Sequence, residues 1–135
     1  MSDSVAGYQF LITQGGRDDL IACREEDPWA AARISVLLRE IAQHKFYAEW
    51  LADPTYSDDI ILNVGELVSF RAVKINAYRV KFVEIAKWRL IVAVDHPTQR
   101  VALMAVMHRD DNYQDDQTLW EDIEREYDEL SFTRV

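Results

Sequence analysis

Eight basic residues fall between positions 71 and 109 (Arg71, Lys74, Arg79, Lys81, Lys87, Arg89, Arg100 and Arg109), against two acids, Glu84 and Asp95. That local surplus of positive charge sits in a chain whose formal net charge is −9. Arg79, Lys81 and Arg89 alternate with apolar residues, so a strand reading places them on polar faces, and Arg109 closes the stretch beside His108, with Tyr113 a few residues on. Cations gathered in this way point to an anionic partner. Taken singly, Arg79 and Lys81 are also what the solvent face of an edge strand carries as protection against aggregation. Arg89 has two acids within reach in sequence, Glu84 and Asp95, and either would pair with it.

Other chemistries lack their residues. There is no phosphate-cradling glycine loop, no dinucleotide fingerprint, no HExxH, no CxxC and no GxSxG. The three histidines, His44, His96 and His108, lack metal-ligand spacing, so neither a metal nor a cofactor is expected. His44 is read as a residue near a helix end and His96 as a turn residue. Cys23 is the single cysteine, with no histidine near it in sequence, and is read as a small helix residue and not as a nucleophile.

The elements that must position the cations follow from periodicity. Tyr8 to Ile12 is a short apolar run, read as a first strand, with Gln14-Gly15-Gly16 as a break after it. Residues 17–25 are expected to form a short helix. Asp27-Pro28 is a helix start, the aspartate as cap and the proline in the first turn. Ile34, Leu37, Leu38 and Ile41 then recur at i, i+3, i+4 and i+7, which predicts an amphipathic helix to about Gln43. Another turn or two over 45–51 is anchored by Phe46 and Trp50, and 52–59 is a loop. Residues 60–74 read either as a helix followed by a strand or as an irregular lead into the sheet, with a strand at Phe70 to Val73. From Tyr78 the period becomes two. Three strands are predicted, the last two joined as a hairpin through His96-Pro97-Thr98-Gln99 and apolar on both faces. In the third, Val101, Leu103, Ala105 and Met107 should share one face. Trp29, Trp50 and Trp88 are read as core. Thr118 and Glu121 have capping-box spacing before a stripe of Trp120, Ile123, Tyr127 and Leu130, predicting an acidic terminal helix.

At 135 residues, 49% apolar and 29% charged, the chain is expected to fold as a single α+β domain over 1–135. Positions 110–135 form an acidic C-terminal extension, with ten acids against two bases. No run approaches the ~20 apolar residues of a membrane span, and the first residues have neither a basic nor an apolar leader region. One cysteine fits a reducing compartment. The cytoplasm is the expected location.

The ordered set Tyr78-Arg79-Val80-Lys81, Trp88-Arg89-Leu90-Ile91-Val92-Ala93-Val94-Asp95 and Val101 to His108-Arg109-Asp110-Asp111-Asn112-Tyr113 resembles the RelE/ParE superfamily of toxin–antitoxin toxins. The match covers roughly residues 70–115, and the helical half follows it in topology. The resemblance implies a RelE-like fold: an antiparallel sheet of four to five strands with N-terminal helices packed on one face and a C-terminal acidic helix. It implies an mRNA endonuclease, or mRNA interferase, that acts on ribosome-bound message without a metal and is held inactive by a cognate antitoxin. In such chemistry the 2′-hydroxyl attacks the adjacent phosphate, basic residues stabilise the phosphorane, and titratable side chains exchange the protons. Carried over by position, the implied catalytic set is Lys81, Glu84, Arg89, His108, Arg109 and Tyr113, and the implied RNA contacts are Arg71, Lys74, Arg79 and Lys81. The alternative within the resemblance is a ParE-like toxin that binds DNA gyrase without chemistry of its own, or a family member that serves only as an interaction domain. The acidity favours the binder and the basic set favours the nuclease. The same acidity raises a further possibility, that the terminal helix lays its acids over the basic cleft.

Overall fold

A computed structural model describes residues 7–110 and 116–134. One five-stranded sheet runs through it in the order β1-β5-β4-β3-β2. Its strands are β1 (Gln9–Ile12), β2 (Ile61–Glu66), β3 (Ala77–Phe82), β4 (Trp88–Asp95) and β5 (Arg100–His108). The pairs β2–β3, β3–β4 and β4–β5 are antiparallel, and β1 lies parallel to β5. Helices α1 (Gln14–Glu26) and α2 (Pro28–Ala42) cover one face, with a short 3-10 helix at Ala48–Ala52. Helix α4 (Gln117–Glu129) and the single turn α3 (Val68–Arg71) cover part of the other. The expected α+β architecture is therefore present.

The first face is the larger core. Ile34, Leu37 and Ile41 of α2 are buried against Val80, Leu90, Val92, Val101 and Leu103, and Leu38 packs at its margin. Asp27 starts α2 as the sequence indicates: its Oδ1 accepts from the Ala30 amide at 3.1 Å. Its Oδ2 accepts from the indole of Trp88 at 3.0 Å, so one carboxylate both caps the helix and satisfies a buried N–H from the sheet. On the second face Ile123, Tyr127 and Phe132 bury against Ile91, Ala93, Ala102 and Met104. The terminal apolar stripe thus docks α4 on the sheet.

Several expectations are corrected. Gly15 and Gly16 do not break the chain; they form the first turn of α1, capped by Thr13, whose hydroxyl accepts from the Gly16 amide at 3.0 Å. A Cβ at Gly16 would stand 2.7 Å from the Leu103 carbonyl oxygen, so a helix can begin this close to β5 only without a side chain there. Residues 61–66 are the strand and Phe70 lies in a helical turn, not in the strand expected at Phe70 to Val73, because β2 gains its ladder from β3 and Phe70 is wholly buried beneath α4. The alternation in β5 is broken by a bulge: Ile91 pairs with Ala105 but Val92 with Leu103. Ala105 and Met107 consequently face α4, while Val106 joins Leu103 in the α2-side core. Helix α4 is capped by Asp116, which accepts from the Leu119 amide at 3.0 Å, and not by Thr118. Trp29 is not core: it is 56% exposed.

The α2–sheet contact should dominate stability. Ile34→Ala removes a fully buried side chain from its centre and is expected to cost about 2–5 kcal/mol in urea unfolding. The exposed Val36→Ala on the same helix should change stability by less than about 1 kcal/mol.

Candidate functional site

The register of three strands decides what the cations do. Lys81 stands directly opposite Arg89, and Arg79 lies two residues along from Lys81, opposite Ile91 on one side and Gly65 on the other. Period two then puts Arg79, Lys81 and Arg89 on one face, the face that α4 covers elsewhere. All three are half-buried. None of them makes an ion pair with an acid among the described residues.

The Nε groups of Arg79 and Arg89 are buried and have no hydrogen-bond partner among the described residues. Unpaired buried donors of this kind cost free energy, and like charges directly opposite on adjacent strands add to it. The field they make is visible at Lys81. Its ammonium is held below the usual lysine range, first by Arg79, then by partial burial and by Arg89. Gly65 has no positive φ to require a glycine. Its lack of a side chain instead makes room for Arg79, whose Nη2 would lie 3.2 Å from a Cβ placed there. The site is thus a patch of directed N–H donors and positive charge with nothing described to neutralise it, a surface suited to a phosphodiester.

The other sequence-derived candidates lie elsewhere. Arg71 is engaged by Glu66, and with Lys74 it borders a small cleft at Asn76, beyond the other end of β3 from Lys81. Glu84, in the turn after β3, pairs with Arg33 of α2 at 3.0 Å. Asp95 is 2% exposed and is engaged by Thr98, Arg100 and the Thr133 amide. Neither acid expected for Arg89 is therefore with it. His108 is on the α2 face, edge-on to Trp88 with ring centroids 5.4 Å apart, and its Nδ1 accepts from the Asp110 amide at 3.2 Å. The Arg109 amide donates to the Lys87 carbonyl at 2.7 Å, and its side chain lines a cleft of about 340 Å³ with Asp27, Trp29, Glu84, Lys87 and Trp88. Tyr113 lies outside the described residues. Four acids of α4 are turned to other partners: Glu126 accepts from the Gly15 amide at 3.0 Å, Glu124 and Asp128 bridge Arg134, and Asp122 pairs with Arg125. No described acid of α4 pairs with the three cations. Burial and the Asp27 and Glu26 charges push the Cys23 thiol up to about 11, which keeps it inert.

No protein-family model matches the chain, and no curated protein matches it. Among solved structures, a chain of the toxin–antitoxin complex RelBE2 from Mycobacterium tuberculosis is similar at 20% identity and a TM-score of 0.43, over 78% of this chain and 100% of that one. A likeness this loose leaves function to be argued from the site. Among the described residues no group of three or more His, Cys, Asp or Glu is arranged to hold a metal, and no helix is long and apolar enough to cross a membrane.

The repulsion makes a direct prediction. Lys81→Met should raise the melting temperature at low salt, and the gain should shrink as ionic strength rises, because screening removes the term it relieves. Gly65→Val should leave the fold intact at this edge strand yet displace the Arg79 guanidinium, weakening binding of inorganic phosphate or a phosphodiester analogue. An unchanged phosphate affinity in folded Gly65→Val would show that the position of Arg79 over Gly65 is irrelevant.

Proposed function

We propose that this protein is the toxin of a toxin–antitoxin pair, a metal-independent endoribonuclease that cleaves ribosome-bound mRNA in the cytoplasm and is neutralised by a cognate antitoxin. The observation that carries the reading is the face formed by Arg79, Lys81 and Arg89, whose charge and buried N–H groups have no described acceptor. A phosphodiester supplies both the charge and the acceptors.

The residues divide the work as follows. Arg79 and Arg89 bind the scissile phosphate and stabilise the extra charge of the phosphorane. Lys81, whose ammonium loses its proton more easily than an ordinary lysine, takes the proton of the 2′-hydroxyl as that oxygen attacks phosphorus. The bond to the 5′-oxygen breaks, leaving a 2′,3′-cyclic phosphate, and the leaving oxygen takes a proton. Tyr113 matches the terminal tyrosine of the resemblance, one of the residue types that exchange protons there. Arg71 and Lys74 are assigned RNA contacts by the resemblance, at the separate cleft beside Asn76, while the ion pair of Glu84 with Arg33 gives Glu84 a positioning part and not a proton-transfer one.

One observation favours the non-catalytic alternative, a module that poisons DNA gyrase by binding. Neither His108 nor Glu84 stands with the three cations, so among the described residues the face offers Lys81 alone for proton transfer. The two readings separate on induced expression in a bacterial host. The nuclease should halt growth and shorten ribosome-bound message. Arg89→Ala or Lys81→Ala should cut cleavage by roughly 10²–10³-fold in a protein of unchanged circular dichroism. Growth arrest with intact message and inhibited gyrase would establish the binder instead. Normal growth at high levels of folded protein would sink both.

A further inference from the structure

Trp29 has no packing role that accounts for it. It is the second residue of α2 and 56% exposed, whereas Trp88 is 5% exposed and is tied by its indole to Asp27. Its orientation is nevertheless supported. The Arg33 guanidinium carbon lies 5.9 Å from its ring centroid, and Arg33 is itself held by Glu84 at 3.0 Å. The indole therefore has a cation against one face and borders the cleft that Lys87, Trp88 and Arg109 line.

The cleft's charge is more positive than its residue types indicate. Of its two lining acids, Glu84 is paired with Arg33, and Asp27 accepts from both the Ala30 amide and the Trp88 indole. Lys87 has no ion pair among the described residues, and the Nε of Arg109 lies 3.8 Å from Asp110 at the surface. The cleft's position matters as much. Lys87 and Arg109 are joined by the 2.7 Å backbone bond just beyond the Trp88–His108 pair, and Arg89 is the next step along β4. The cleft thus lies on the α2 side, at the end of the sheet where Lys81 stands opposite Arg89 on the other face. An aromatic ring beside two cations, around the sheet's end from a phosphate-binding face, is an arrangement that takes single-stranded nucleic acid: the ring stacks a base and the cations hold the backbone.

We propose that Trp29 is the platform of a nucleobase subsite for single-stranded RNA, with Lys87 and Arg109 holding the phosphate next to the stacked base and the scissile phosphate lying on Arg79, Lys81 and Arg89. This rests on the RNA-cleaving reading above. It assigns Glu84 a positioning role, since Glu84 fixes Arg33 and Arg33 braces the indole.

The test uses the full chain and a labelled 2′-O-methyl oligoadenylate, which lacks the attacking hydroxyl, beside an abasic oligomer of the same length and charge. Trp29→Ala is expected to weaken oligoadenylate binding by about tenfold with an unchanged salt slope. Trp29→Phe should recover part of that loss, and the abasic oligomer should bind wild type and Trp29→Ala alike. Lys87→Ala and Arg109→Ala should lower the salt slope for both oligomers. Oligoadenylate affinity unchanged in Trp29→Ala but reduced in Arg89→Ala would overturn the subsite and leave the RNA reading standing. A Trp29→Ala loss of equal size on the abasic oligomer would overturn stacking. Affinity unchanged in both Trp29→Ala and Arg89→Ala would remove the subsite and the reading together.

Discussion

The joint between the start of α1 and the middle of β5 sets the rest of the architecture. Thr13 donates through its hydroxyl to the Leu103 carbonyl at 2.8 Å and accepts from the Gly16 amide, while Gly16 lets the helix backbone close onto the same carbonyl. Asp19, one turn on, accepts from the Val106 amide at 3.1 Å, beyond the last residue of β1 that pairs with β5. The bulge in β5 lies between these two contacts. On the opposite side Glu126 of α4, 6% exposed, receives the Gly15 amide. One helix N-terminus thus ties β5 to both helical layers, and its free N–H groups suit the carboxylate it receives.

That arrangement bears on how an acidic protein keeps a cationic face. The most acidic helix lies on the same side of the sheet as Arg79, Lys81 and Arg89, where ion pairs with them would lower the energy. Four acids of α4 are instead engaged by Gly15, Arg125 and Arg134, and its buried stripe holds it over Ala93, Ala102 and Met104. Arg134 reaches back to the Val73 carbonyl at 2.8 Å, and Asp95 holds the Thr133 amide, so the segment after α4 is fixed as well. The docking geometry, and not charge alone, leaves the cations available. Long-range attraction between the two charged regions still operates and weakens with salt.

Much of this was legible in the sequence where the cause is local. Period-two alternation placed β3, β4 and β5 and put Arg79, Lys81 and Arg89 on polar faces, because alternation settles the face without knowledge of partners. Asp27-Pro28 marked α2 because capping and a fixed proline φ are properties of adjacent residues. The failures share a different cause. The segment 61–66 contains Asn63 and Gly65, poor strand formers, and becomes a strand through its ladder to β3 and the space Gly65 gives Arg79. The bulge in β5 has no signature in an unbroken apolar run. The ion pair between Glu84 and Arg33 joins a turn to a helix far away in sequence, so proximity in sequence favoured Arg89 as partner. Trp29 read as core because a tryptophan's size and apolarity favour burial; in the structure it stands in the first turn of α2, where it lines a surface cleft.

The charge arrangement resolves a tension in the proposed chemistry. A lysine that is to act as a base must lose its proton near neutrality, yet a bound phosphate beside it stabilises the protonated form. Alone on the strand, Lys81 would keep nearly the basicity of an ordinary lysine, and a bound phosphate would raise it further, when a base is needed. The two arginines oppose that change. They neutralise the phosphate as it arrives, and they are the first and third causes that hold the Lys81 ammonium below its usual range. Because a guanidinium stays protonated throughout, the field it imposes does not relax when the lysine titrates. Half-burial strengthens that field relative to open water and also penalises the ammonium directly. The repulsion among the three cations that costs the empty fold stability is therefore the same interaction that favours loss of the Lys81 proton, and replacing either arginine with a neutral residue would relieve the one only by weakening the other.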